Sequence, residues 1–188
     1  MHLMNNLFQN SNFKKIIVFG STGYVGNSIF LGLRKSYEVI SSSRNKNSSH
    51  FLSEKKCENI PKDIDISIFA IGSTELHSDS FNSSSKATIN TLSLFLDRHK
   101  KDIPNTPIIY ISTFQVYGKN EGEIDELTNT NPSNIYALVH KQAEEMLQLY
   151  AKNNNCKYLI IRPTNIYGSY SGEFPFRRET LVPNCSSK

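Results

Sequence analysis

The 188-residue chain has no tryptophan, only three cysteines and no apolar run near the roughly 18 residues that cross a bilayer, which excludes a membrane-spanning helix. Its first fifteen residues (MHLMNNLFQNSNFKK) lack the continuous apolar stretch of a signal peptide, so the sequence reads as soluble and unsecreted, with no membrane partner. Cys57, Cys156 and Cys185 are odd in number, far apart and without metal-ligand spacing, which argues against a disulfide framework, a zinc site or any other metal. A reducing cytoplasm is the expected compartment. The 21 basic and 17 acidic residues leave a net charge of +4, dispersed without a basic block, so nucleic acid is not an expected partner. No internal repeat is present, and the length fits one domain.

What is present is an alternation of short apolar runs and longer amphipathic ones. Lys14–Phe19 (KKIIVF) is too short for a helix and rich in β-branched residues, which predicts a buried parallel strand. Tyr24–Lys35 places Val25, Ile29, Phe30 and Leu33 on one helical face. Strands follow at Tyr37–Ser42, Ile64–Ile71, Pro107–Ser112 and Lys157–Arg162, with helices at Ser85–Lys100 (Ile89, Leu92 and Leu96 inward) and about 133–153. Such alternation implies βαβ units, hence a parallel sheet with helices on both faces and ligands at the carboxyl ends of the strands. The Ser/Asn-rich stretches SSSRNKNSS, FNSSSK and KNNN read as polar loops.

At the first strand-to-helix junction stands Gly20-Ser-Thr-Gly23-Tyr-Val-Gly26. The first glycine permits a tight turn, the second lets backbone approach a pyrophosphate, and the third lets the helix pack close to the strand. The helix start supplies N–H groups for an anion. The candidates for holding a dinucleotide are therefore Gly20, Thr22, Gly23, Tyr24, Val25 and Gly26. Where an acidic residue would take the ribose hydroxyls of NAD, the second strand ends in Ser43-Arg44, and a guanidinium can pair with a 2′-phosphate. That substitution favours NADP over NAD.

Three later segments join the glycine turn, in the same order, to make residues 14–168 resemble the extended short-chain dehydrogenase/reductase family, in particular its NAD(P)-dependent nucleotide-sugar epimerases, dehydratases and reductases. They are Ile109–Gly118 (IYISTFQVYG), Asn134–Glu144 (NIYALVHKQAE) and Ile161–Gly168 (IRPTNIYG). The resemblance implies a doubly wound, Rossmann-like α/β domain over 14–168, preceded by a polar tail (1–13). It is followed by only the start of a substrate-binding lobe (169–188) that is otherwise missing. It implies hydride transfer on a nucleotide-activated sugar, with Tyr136 as acid/base and Thr113 bonding the substrate oxygen. Ala70 and Gly72 would let the cofactor lie against backbone, Asn90 would support the catalytic helix, and Pro163 would flank the nicotinamide. Asn165 and Tyr167 would face the substrate end, Arg162 would be structural, and a homodimer is admitted.

The family's lysine four residues after the tyrosine is here His140, with Lys141 one position later. At about 100° per residue His140 lies about 40° from Tyr136 around the helix and Lys141 about 140°, so His140 inherits the site as a catalytic and cofactor-binding candidate. A free phenol titrates near 10 and imidazole near 6.5, so a mostly neutral histidine would assist Tyr136 less than a lysine. The unit between Arg44 and Asp63 is also short, which predicts an irregular piece around Phe51–Ile60 and a reduced sheet edge. Two other readings stay open: a non-catalytic NAD(P)-binding sensor or scaffold, and an inactive fragment of a longer enzyme.

Overall fold

The computed structural model describes residues 13–45, 47–53, 55–72, 86–119, 121–164 and 166. Among them six strands form one sheet: β1 (Lys15–Phe19), β2 (Glu38–Ser43), β3 (His50–Phe51), β4 (Ile66–Phe69), β5 (Ile108–Ile111) and β6 (Tyr158–Ile161). All neighbouring pairs are parallel and the spatial order is β3-β2-β1-β4-β5-β6. The chain runs outward from β1 to β3, returns across the centre to β4, and runs outward again. That reversal opens a crevice at the carboxyl ends of β1 and β4, where open α/β sheets hold their ligands.

The helices are α1 (Tyr24–Leu33), α2 (Thr91–Asp102) and α3 (Ile135–Asn154). Because strand side chains alternate, β1 buries Ile17 and Phe19 on one face and Ile16 and Val18 on the other. The first pair joins Phe69, Ile108 and Tyr110 beneath Leu92, Phe95 and Leu96 of α2 and Ala143 and Leu147 of α3. The second joins Ile66 and Ile68 beneath Ile29, Phe30 and Leu33 of α1. Strands covered on both faces must be apolar throughout, which is why KIIVF does not alternate.

The short unit after β2 keeps two paired residues in β3, and beyond them Leu52 and Cys57 form an isolated antiparallel bridge. Leu52 and Ile60 still plug the core, so the reduced edge is not hollow. The helix expected from Ser85 begins instead as a π-helical turn at Lys86–Asn90 before α2. Among the described residues no helix is long and apolar enough to cross a membrane. The whole of the expected start of a substrate lobe (169–188), together with Asn165 and Tyr167, lies outside the described residues.

Candidate active site

The glycine turn closes on β1, β2 and β4 together. Gly20 has φ of +85°, and a Cβ there would stand 2.7 Å from the Ala70 carbonyl oxygen at the exit of β4. The N–H groups of Gly20 and Ser21 donate to the Ser42 carbonyl at 2.8 and 3.2 Å, which ties the turn to the end of β2. A Cβ on Gly26 would lie 2.2 Å from the Gly20 carbonyl oxygen, so only glycine lets α1 seat this close to the strand end. Gly23 is the N-cap of α1 and offers no side-chain cap, while the first-turn N–H groups lack intrahelical acceptors by construction. Thr22, Tyr24 and Val25 are half-buried around them. A positive helix end with N–H groups free of a side-chain cap, on a turn whose Gly20, Gly23 and Gly26 bring no side chain, fits the pyrophosphate of a dinucleotide.

At the end of β2, the Ser43 hydroxyl accepts from the Asn45 N–H at 2.9 Å and pairs with Ser48 Oγ at 2.5 Å. It is buried and engaged by its own loop, whereas Arg44 is exposed. Of this pair, only Arg44 presents its side chain to solvent.

The other half of the crevice is built from β5 and α3. Thr113 follows β5 and caps a 3₁₀ turn at Phe114–Tyr117, its Oγ1 accepting from the Gln115 N–H at 3.3 Å and keeping its own proton to donate. The Asn134 side chain caps α3 by accepting from the Ala137 N–H at 2.8 Å and donates to Gln115 Oε1 at 2.9 Å. The Thr113 turn and the Tyr136 turn are thereby fastened to each other. Pro163, half-buried after β6, accepts from the Phe114 N–H at 2.9 Å. The Tyr136 and His140 rings meet edge to face at 4.6 Å, while Lys141 points away to Glu145 at 2.8 Å. His140 Nδ1 bonds the Tyr110 hydroxyl at 2.8 Å, and its Nε2 lies where a Cβ on Gly72 would be 2.9 Å away. Gly20, Ala70, Gly72 and His140 thus form one continuous line of contact from the glycine turn to α3. Asn90 is solvent-exposed where the π-helical turn, which touches α3, meets α2.

The sequence model of the NAD dependent epimerase/dehydratase family matches residues 16–185, nearly the whole chain. The chain belongs to that family. A dTDP-D-glucose 4,6-dehydratase from Dictyostelium discoideum is 26% identical over 193 residues, spanning 82% of this chain and 44% of that protein. The NAD-bound UDP-glucuronic acid 4-epimerase of Bacillus cereus superposes with a TM-score of 0.68 at 23% identity, over 82% of this chain and 57% of its own. The L-threonine dehydrogenase of Clostridium difficile superposes with a TM-score of 0.65 at 18% identity, over 81% of this chain and 53% of its own. This family member therefore spans about half the length of the relatives it matches, and the structural likenesses speak to fold.

Within this epimerase/dehydratase fold, one buried group went unread in the sequence. Glu144 of α3 accepts from the Ser112 hydroxyl at 2.5 Å and from Arg162 Nε and Nη2 at 3.0 and 2.7 Å. Arg162 also donates to the Tyr117 hydroxyl at 2.9 Å, and Glu144 holds its guanidinium well above its usual range. This network joins the carboxyl ends of β5 and β6 to α3 beneath the site and makes Arg162 structural. The Asn134 cap had a local signal, an Asn just ahead of an apolar-periodic helix. Glu144 had none, because its partners are 18 and 32 residues distant.

Burial pushes the His140 imidazole from 6.5 down to about 4, and lowers His50 and His99 as well. Between those two values an unfolded chain binds a proton at position 140 that the folded chain refuses. Stability from His140 is therefore complete above about pH 6.5 and lost as pH falls toward 4, by about 1.4 kcal/mol per pH unit and roughly 3 kcal/mol in all. Urea unfolding at pH 7.5, 5.5 and 4.5 should show the decline, and His140→Leu should flatten it while His50 and His99 keep the remainder. An unchanged slope in that variant would refute the buried neutral histidine. The Cys57 and Cys156 thiols are pushed up to about 11 by burial, so at neutral pH both are protonated and unreactive.

Proposed function

We propose that the chain forms the dinucleotide-holding and proton-handling half of an enzyme acting on a nucleotide-activated sugar. The observation that carries this reading is the convergence of Gly20, Gly26, Gly72, Thr113, Tyr136 and His140 on the carboxyl ends of β1, β4 and β5. When bound, the nicotinamide dinucleotide supplies a hydride acceptor and donor. Tyr136 moves the proton of a sugar hydroxyl, Thr113 donates to the same oxygen, and His140 contacts the cofactor's ribose. Pro163 flanks the nicotinamide, and Asn165 and Tyr167 serve the sugar. The dTDP-sugar and UDP-sugar relatives support this substrate class. Arg44 stands at the end of β2 where an acidic residue would take the ribose hydroxyls of NAD, and its guanidinium can pair with a 2′-phosphate, which favours NADP over NAD.

Calorimetric titration of the 188-residue chain tests the cofactor, with NADP expected to bind more tightly than NAD. The reverse order would remove the role given to Arg44, and no binding of either would remove the whole reading. Turnover of a UDP- or dTDP-sugar should require the Tyr136 hydroxyl, so Tyr136→Phe should bind cofactor and be inactive. A second reading, dinucleotide binding without turnover, is favoured by the neutral, buried His140 and by Lys141 turning away from Tyr136. His140→Lys separates the two: a gain in turnover supports the enzyme, and no turnover in either protein supports the binding module.

A further inference from the structure

Tyr110 is the third residue of β5, fully buried, with its ring 6.0 Å from that of Phe69 and 6.0 Å from that of His140. Its hydroxyl has one hydrogen-bond partner among the described residues, His140 Nδ1 at 2.8 Å. The other ring nitrogen, Nε2, is buried without a hydrogen-bond partner among the described residues. A Cβ on Gly72 would come 2.9 Å from that Nε2, and Gly72 is itself solvent-exposed, so a residue with no side chain separates the nitrogen from the crevice.

Two neutral tautomers are open to the ring, and the surroundings distinguish them. If Nδ1 carried the proton and donated to Tyr110, the buried phenol's own hydrogen would have no hydrogen-bond acceptor among the described residues. If the phenol donates to Nδ1, that hydrogen is satisfied and the imidazole hydrogen sits on Nε2. Among the described residues Nε2 has no partner in either case, so the difference lies in the phenol, and an unmade buried donor is costly. Burial keeps the ring neutral, leaving a single N–H to place.

We infer that Tyr110 is a positioning residue: by donating to Nδ1 it holds His140 as the Nε2–H tautomer, presenting that N–H past Gly72 to a hydroxyl oxygen of the bound dinucleotide. The inference rests on the dinucleotide reading above and adds to it a residue, a tautomer and a direction of donation. A lysine would bring three hydrogens and a charge without needing an orienting partner. A neutral imidazole brings one hydrogen, and Tyr110 decides which edge of the ring carries it.

The test uses the full 188-residue chain. Long-range ¹⁵N–¹H spectra of histidine-labelled protein without ligand should show His140 as the Nε2–H tautomer, and Tyr110→Phe should give a mixture of the two. NAD titrated into Tyr110→Phe should bind about fivefold more weakly than to the unaltered chain, the value of one neutral hydrogen bond. His140→Phe should lose at least as much, and adding Tyr110→Phe to it should cost no further affinity, because Tyr110 acts through the imidazole. Gly72→Ala, which places a methyl in front of Nε2, should weaken NAD binding with the tautomer unchanged. Circular dichroism confirms that each variant is folded. An Nδ1–H tautomer in the unaltered chain, or NAD affinity indifferent to Tyr110→Phe, overturns the inference alone. Failure of the unaltered chain to bind NAD overturns the dinucleotide reading and this inference with it.

Discussion

Glu144→Ala is expected to destabilise the fold by about 3 kcal/mol, the lower end of the about 3–5 kcal/mol found when one partner of a buried ion pair is removed. The lower end applies because the Arg162 side chain retains 21% accessibility and can recover some water, whereas that of Glu144 retains 3%. The substitution leaves a guanidinium without its counter-charge and the Ser112 hydroxyl without its acceptor. Against a typical domain stability of about 5–15 kcal/mol, that loss moves the urea midpoint far down. The damage should also reach the site, because Ser112 precedes Thr113 and Arg162 precedes Pro163. Glu144→Gln keeps an acceptor for Ser112 but turns an amide N–H₂ toward Arg162, so a smaller loss is expected. Pairing Glu144→Leu with Arg162→Met removes both charges together and should recover at least about 1 kcal/mol over Glu144→Leu alone. Strictly additive losses in that cycle would show that the pair is not coupled.

The contrast between Glu144 and the glycine turn marks what a single sequence makes legible. KIIVF, the α1 stripe of Ile29, Phe30 and Leu33, and the Gly20–Gly26 spacing each carry their signal within a dozen residues, so period and turn chemistry suffice. The helical wheel also separated His140 from Lys141, and the structure agrees: one ring meets Tyr136 and the other side chain pairs with Glu145. What escaped is non-local. Nothing near His140 announces that its partner is Tyr110, thirty residues earlier on a strand that helix α3 covers. Ser43 shows a local rule overlooked, since its hydroxyl bonds the N–H two residues on, as serine commonly does in turns. The π-helical turn before α2 escaped as well, for its residues KATIN carry no period that tells it from an ordinary first turn. Asn165 and Tyr167 lie beyond the described residues, so their sequence-based roles stay with the family resemblance.

Two glycine-to-alanine changes within the same helix are expected to have opposite signs. Gly32 near the end of α1 has nothing within 4 Å of an added Cβ, so Gly32→Ala should stabilise the fold by about 1 kcal/mol, the ordinary helix-propensity gain. Gly26 sits in the same helix, yet its added Cβ would meet the Gly20 carbonyl oxygen at 2.2 Å and carbonyl carbon at 2.7 Å. Both atoms are backbone, and Gly20 is itself held by Ser42 on one side and crowded by Ala70 on the other. The helix must therefore retreat from the strand end, at about 1–3 kcal/mol for overpacking that outweighs the propensity gain. A retreat of α1 carries its first-turn N–H groups away from the position where the glycine turn would hold a pyrophosphate. Gly26→Ala should then weaken NAD binding by more than about tenfold, or about 1.4 kcal/mol, while Gly32→Ala leaves it unchanged. Urea unfolding and calorimetric titration of the two variants side by side decide the matter. Equal stabilisation by both alanines would show that α1 is not seated on the turn, and unweakened binding by Gly26→Ala would separate the turn from the dinucleotide.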